Sequence, residues 1–128
     1  MEYSVQAKEN SRSGGTGKDA GTYSRGCLVI ISSSLEDTWA LGQGQNLTCN
    51  ANGIKNSKSS NGRQTFNNGT LVGSIDGGES FFPVGTHCQL TITTNNTQLK
   101  LYCWDSDKDN NNGAISVYIQ SCCNNFNE

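Results

Sequence analysis

Residues 105–113, DSDKDNNNG, set three aspartates at alternate positions and follow them with three asparagines and a glycine. Carboxylates and amides are hard oxygen donors, the ligand type that calcium prefers. Asp105, Asp107 and Asp109 are spaced as in the first half of a calcium-binding helix–loop–helix. The second half departs from that motif, because Asn110 stands in place of the turning glycine and Ser116 in place of the bidentate glutamate. The helix–loop–helix reading is therefore excluded. The charge argument survives it: neighbouring carboxylates repel, and a cation holding them in an ordered loop is favoured over a solvated acidic turn.

Other chemistry is sparse. The stretch GGTGKD is no phosphate-binding loop, since Arg12 occupies the position of its first glycine and Asp19 that of its Ser or Thr. His87 is the one histidine and lies in an alternating strand pattern, so it reads as a surface residue rather than a ligand or catalyst. No Ser/His/Asp or Cys/His constellation emerges, and the chain reads as a non-enzyme. Nine basic and eleven acidic residues give a net charge of -2, which offers no electrostatic footprint for nucleic acid. No apolar run reaches membrane-spanning length, so membrane insertion is not expected.

Six cysteines in 128 residues, without zinc-type spacing, point to disulfides and hence to a secreted, extracellular protein. The opening MEYSVQAKEN has no basic segment leading into an apolar one, so an export signal is expected to have been removed or to be unconventional. The sequons at Asn46, Asn68 and Asn95 fit secretion but carry little weight in a chain so rich in Asn, Ser and Thr.

The acidic loop must be held by strands. Only 33% of the residues are hydrophobic, and turn formers dominate the rest. Alternating patterns at 3–8, 27–33, 37–42, 70–75, 80–84, 87–94, 97–104 and 114–121 predict an all-β, eight-stranded antiparallel jelly-roll-like β-sandwich, one domain spanning 1–128. A tight turn at Asn95–Asn96 predicts a hairpin that sets Ile92 opposite Leu99, Leu90 opposite Leu101 and Cys88 opposite Cys103. Opposed β-carbons lie within disulfide range, so Cys88–Cys103 is the favoured bridge, with two buried free thiols as the alternative. Cys122 and Cys123 fall on opposite faces of the last strand and are each expected to seek Cys27, Cys49 or another chain. Tyr102 and Tyr118 are expected to face outward. Residues 9–22 read as a flexible surface loop, and 43–68 as a solvated excursion or the wall of a polar site.

Segments 68–78 (NGTLVGSIDGG), 81–86 (FFPVGT) and 95–119, with TWALG at 38–42, resemble the calcium-dependent galactophilic (PA-I-type) lectins and their wider β-sandwich family. The resemblance implies a calcium ion at one end of the sandwich. It would be held by the Trp39 carbonyl, Asp105, a carbonyl of Asp107 or Lys108, and the side chains of Asn110 and Asn111, with Asp109 joining them or standing behind. Two vicinal hydroxyls of a sugar would complete the shell and bond to Asp105 and Asn110, with Ser106 beside them. In that family a His and a Gln of the middle loop select galactose. The matching stretch here, Asn56 to Ser59, has neither, leaving Asn56 and Lys58, or Asn61, Arg63 and Gln64, as hydroxyl partners.

The function expected on these grounds is a secreted calcium-dependent lectin, with galactose-type glycans among its ligands. The alternative is an extracellular structural or self-assembling sandwich that keeps the ion without binding sugar. Outward Tyr102 and Tyr118 and the Cys122–Cys123 pair point to a homo-oligomer or larger assembly in that case.

Overall fold

A computed structural model describes residues 1–123. The strands are β1 (Glu2–Gln6), β2 (Lys18–Tyr23), β3 (Leu28–Ser32), β4 (Trp39–Ala40), β5 (Thr48–Cys49), β6 (Lys58–Ser60), β7 (Thr65–Asn67), β8 (Leu71–Ser74), β9 (Phe82–Pro83), β10 (His87–Thr91), β11 (Thr97–Cys103) and β12 (Ala114–Cys122). Two 3-10 turns, Gln45–Leu47 and Lys108–Asn110, complete the regular structure.

Two four-stranded antiparallel sheets, ordered β1-β12-β3-β10 and β2-β11-β8-β9, form the β-sandwich. Alternation explains the core between them. Val5, Val29, Ile31, Leu99, Leu101, Ile115 and Val117 all take the inward phase of their strands and are fully buried. Burying each such aliphatic side chain contributes roughly 1.5–3 kcal/mol, offset by the cost of ordering the chain.

Every alternating segment contains a strand, yet 37–42 supplies only β4, which pairs with β5 outside both large sheets. Its place in the sandwich is taken by β2, KDAGTY, whose one fully buried residue is Ala20, with Tyr23 half-buried against the core. The predicted hairpin is also corrected. Asn96 does adopt the left-handed conformation, φ 56°, but β10 pairs with β3 while β11 pairs with β2 and β8. Residues 92–96 therefore cross from one sheet to the other, alongside the matching crossing from β2 to β3. Backbone bonds Ile92 N–H to Cys27 O (2.8 Å) and Gly26 N–H to Ile92 O (2.8 Å) join the two crossings.

The disulfide expectation fails for the same reason. Cys88 and Cys103 lie in different sheets and are both free thiols, whereas Cys27 is bonded to Cys123. Cys49 and Cys122 are also free. Tyr118 faces outward, 48% exposed, but Tyr102 does not reach solvent as expected. It lies in a second apolar cluster with Val72, Phe81 and Trp104, edged by Phe66.

Candidate functional site

The end of β11 delivers Trp104 and Asp105 to one edge of the sandwich. Trp104 is fixed on all sides. Its Nε1 donates to Ser59 O (2.9 Å), Phe66 and Phe81 meet it edge-on, and the Arg12 guanidinium lies 4.4 Å from the ring centroid. Gly69 links it to the other tryptophan, donating to Trp104 O (2.7 Å) while its own carbonyl accepts from Trp39 Nε1 (2.9 Å). At φ 85°, with a β-carbon position only 2.4 Å from Cys49 Sγ, residue 69 has to be glycine.

Asp105 follows this anchored tryptophan and is itself buried, 8% exposed. Its Oδ1 accepts from Ser106 N–H (2.8 Å). Burial holds the carboxyl above its ordinary value of 3.8, against the opposing pull of hydrogen bonds from Ser106, Asn111 and Asp107. Asn111 lies beside it, 6% exposed. The Asn111 Nδ2 donates to Ala7 O (2.8 Å), while its Oδ1 is buried without a hydrogen-bond partner. Such an orphaned oxygen costs about 1–3 kcal/mol, unless something outside the chain satisfies it.

The backbone locks this pair in place. Ala7 N–H donates to Gly113 O (3.0 Å), and Ala40 and Asn112 exchange two bonds of 2.8 Å each. Gly113, at φ 89°, lies against Trp39, whose Cα would be 3.4 Å from a β-carbon there. The main chain of β4 is thus drawn to the acidic loop, bringing residues 39–40 alongside residues 111–113.

The loop's remaining carboxylates point elsewhere. Asp107 is exposed and caps the short 3-10 turn, its Oδ1 accepting from Asp109 N–H (3.0 Å). Asp109 is exposed and pairs with Lys108 at 3.7 Å. Asn110 and Ser106 are exposed as well. Among the described residues no three His, Cys, Asp or Glu side chains group into a metal-binding cluster, so the three aspartates do not converge. A donor set of one carboxylate, amide oxygens and carbonyls is a different arrangement.

Asn56 sits at φ 66° on an exposed turn, and Lys58 lines a separate recess of about 480 Å³ with Asn52, Thr65, Pro83 and His87. Two polar side chains of the middle excursion, Gln64 and Arg63, are committed to backbone groups. The Gln64 amide brackets the Phe81 backbone through both its oxygen and its nitrogen, and Arg63 donates to Glu79 O (3.2 Å).

Residues 9–17 form the wall that sequence reasoning missed. Far from a flexible loop, they run as a strap along the end of β11. Cys103 N–H donates to Asn10 O (2.9 Å), Arg12 N–H donates to Cys103 O (3.0 Å), and Ser11 is fully buried. Ser13 Oγ donates to Ser106 O (2.9 Å), tying the strap to the acidic loop. The glycines were the available signal. A β-carbon at Gly15 would sit 2.5 Å from Ser11 O, and one at Gly17 2.4 Å from the Tyr102 ring. Here glycine marks close packing rather than flexibility. Between strap and loop lies a polar recess of about 760 Å³, onto which Asn111, Lys8, Lys18 and Lys108 open.

No protein-family model matches the chain. No curated protein matches it either. Among solved structures it is similar to the EclA N-terminal domain, described as a PllA-like lectin, with 20% identity, a TM-score of 0.64 and 94% of each chain covered. At that identity the likeness establishes the fold, a β-sandwich shared with a lectin domain over nearly its whole length.

Proposed function

We propose that this chain is a secreted, non-enzymatic, calcium-dependent carbohydrate-binding protein. One observation carries the reading: a buried carboxylate, Asp105, beside a buried amide oxygen, Asn111 Oδ1, that has no partner within the described residues. A hard cation would satisfy the orphaned oxygen and offset the cost of keeping Asp105 ionised. Asp105, Asn111, Asn110 and the carbonyls of Trp39 and of Asp107 or Lys108 are the residues that would hold it. When bound, calcium supplies open coordination positions for two vicinal hydroxyls, and galactose-type sugars carry such a pair. The fold shared with a lectin domain supports the same class of ligand.

The competing reading, a self-assembling module with a structural ion, draws on exposed Tyr118 and Cys122 on β12. A glycan array probed in calcium and in chelator separates the two. Binding in calcium that vanishes with chelator is expected. Binding indifferent to chelator would overturn the ion's role, and an empty array with a retained calcium-induced rise in Tm would favour the assembling module.

A further inference from the structure

The recess between the strap and the acidic loop has features that the cation site does not use. Its volume of about 760 Å³ lies within the range of small-molecule clefts, roughly 300–1,000 Å³. Asn111, the residue with the unpartnered oxygen, lines it together with strap residues Glu9, Asn10 and Thr16, and Asp105 does not. A ligand held at Asn111 would extend along that wall.

The charges on the wall are unevenly committed. Lys8, Lys18 and Lys108 line the recess, together with Glu9 and Asp19. Among the described residues, neither Lys8 nor Lys18 has a carboxylate within 4.0 Å, and Lys108 pairs only with its neighbour Asp109. Asp19 is turned back on its own strand, its Oδ1 accepting from Gly21 N–H (3.1 Å). The recess thus holds three ammonium groups against the carboxylates of Glu9 and Asp19, and among the described residues Lys8 and Lys18 are the two cations without an ion-pair partner there. The strap between Lys8 and Lys18 is stiff, since Asn10 Oδ1 accepts from Gln6 N–H (2.7 Å) and Asn10 Nδ2 donates to Thr16 O (2.8 Å). The Lys108 stem lies across Gly14, with Cε 3.3 Å from where a β-carbon would stand. The backbone that presents Lys8 and Lys18 is therefore ordered before a ligand arrives, while the Lys8 side chain itself is exposed.

We infer that this recess is a second subsite that takes an anionic sugar unit, carboxylated or sulfated, adjoining the sugar held at the cation. The inference rests on the calcium-dependent lectin reading. Selection of the ligand thus falls to the N-terminal strap, not to the middle excursion, whose Lys58 opens onto a different recess. The ammonium groups of Lys8 and Lys18 would donate charge-assisted hydrogen bonds to the anionic oxygens.

The test is titration of matched neutral, uronate-containing and sulfated oligosaccharides in calcium, repeated at low and high salt. The expected result is that at least one acidic series binds about tenfold tighter than its neutral counterpart at low salt, the advantage shrinking as salt screens it. The double variant Lys8→Gln/Lys18→Gln is expected to lose most of that ratio, with its Tm rise in calcium measured in parallel to show that it is folded. The preferred anion identifies the source. Equal affinity for all three series, or a preference that survives the double variant, overturns the subsite and leaves the lectin reading standing. Failure to bind any oligosaccharide in calcium overturns the lectin reading itself.

Discussion

Within one nine-residue loop, the flanking pair Asp105 and Asn111 and the pair between them, Asp107 and Asp109, carry oxygen donors of similar kind and show opposite physics. Asp105 and Asn111 are buried, and the backbone around them is bonded to β1 and β4. Asp107 and Asp109 stand in water, where the one caps a short turn and the other pairs loosely with a lysine. Acidic density therefore did not locate the candidate ligands. A buried oxygen donor has few ways to be satisfied, and an exposed one is satisfied by water.

The largest expected effect comes from striking the buried pair. Asp105→Asn is expected to abolish the Tm rise that calcium gives the native chain, a rise of roughly 10 °C at a calcium concentration a hundredfold above Kd. Glycan binding should fall more than a hundredfold with it. Without calcium the sign reverses. Because burial holds the Asp105 carboxyl above 3.8, the folded state binds its proton more tightly than the unfolded chain does. The contribution to stability is present below 3.8 and is lost as pH rises through the raised value. Calcium-free Asp105→Asn should lack that decline, and melting curves across pH 3–7 in chelator, compared with the native chain, check it. Asp76 is a counterexample in the same scan. Hydrogen bonds from Ser80, Ser74 and Glu79 lower it to about 2, so its contribution is lost only as pH falls below its ordinary 3.8.

Gly113→Ala tests whether the backbone, rather than the carboxylate alone, holds the buried pair. Position 113 has φ 89° and lies against Trp39, so an alanine there would cost roughly 1–2 kcal/mol of backbone strain. The expected result is a Tm lowered by several degrees together with a weaker calcium response, because the shift displaces Asn111 and Asn112 from Ala7 and Ala40. A lowered Tm with an unchanged calcium response would mean that the anchoring to β4 is irrelevant to the ion.

The same contrast explains what the sequence could and could not show. Alternation places Leu99, Leu101, Ile115 and Val117 correctly, because a strand's inward phase is a local property. It does not choose the strand's partner. Leu90 and Leu101 point into one core whether their strands pair side by side or belong to different sheets, so the hairpin and its disulfide were equally consistent with the pattern. The second strand, KDAGTY, was invisible, since its two core-facing residues, Ala20 and Tyr23, stand three apart across a register shift and make no period of two. The strap was misread because its order comes from backbone bonds to Cys103 and from glycines under tight contact, neither of which composition reports. Asp105 and Asn111 were in the anticipated set, through the family resemblance. The acidic spacing alone gave them no priority over Asp107.

The smallest effects belong to the exposed pair, and they sharpen the contrast most. Asp107→Ala removes the side chain that accepts from Asp109 N–H at the start of the 3-10 turn, which should cost about 0.5–1 kcal/mol. Asp109→Asn removes only an exposed ion pair 3.7 Å long and should change stability by less than about 0.5 kcal/mol. In both variants the Asp107 and Lys108 carbonyls and the Asp105 carboxylate remain, so calcium affinity should change by less than about threefold, the residue of a long-range charge screened by water. Calorimetric titration of calcium into the two variants reads this directly. A tenfold loss in either would mean that the exposed carboxylates swing inward to meet the ion, and that the division between the buried and the exposed pair holds only in the ion's absence.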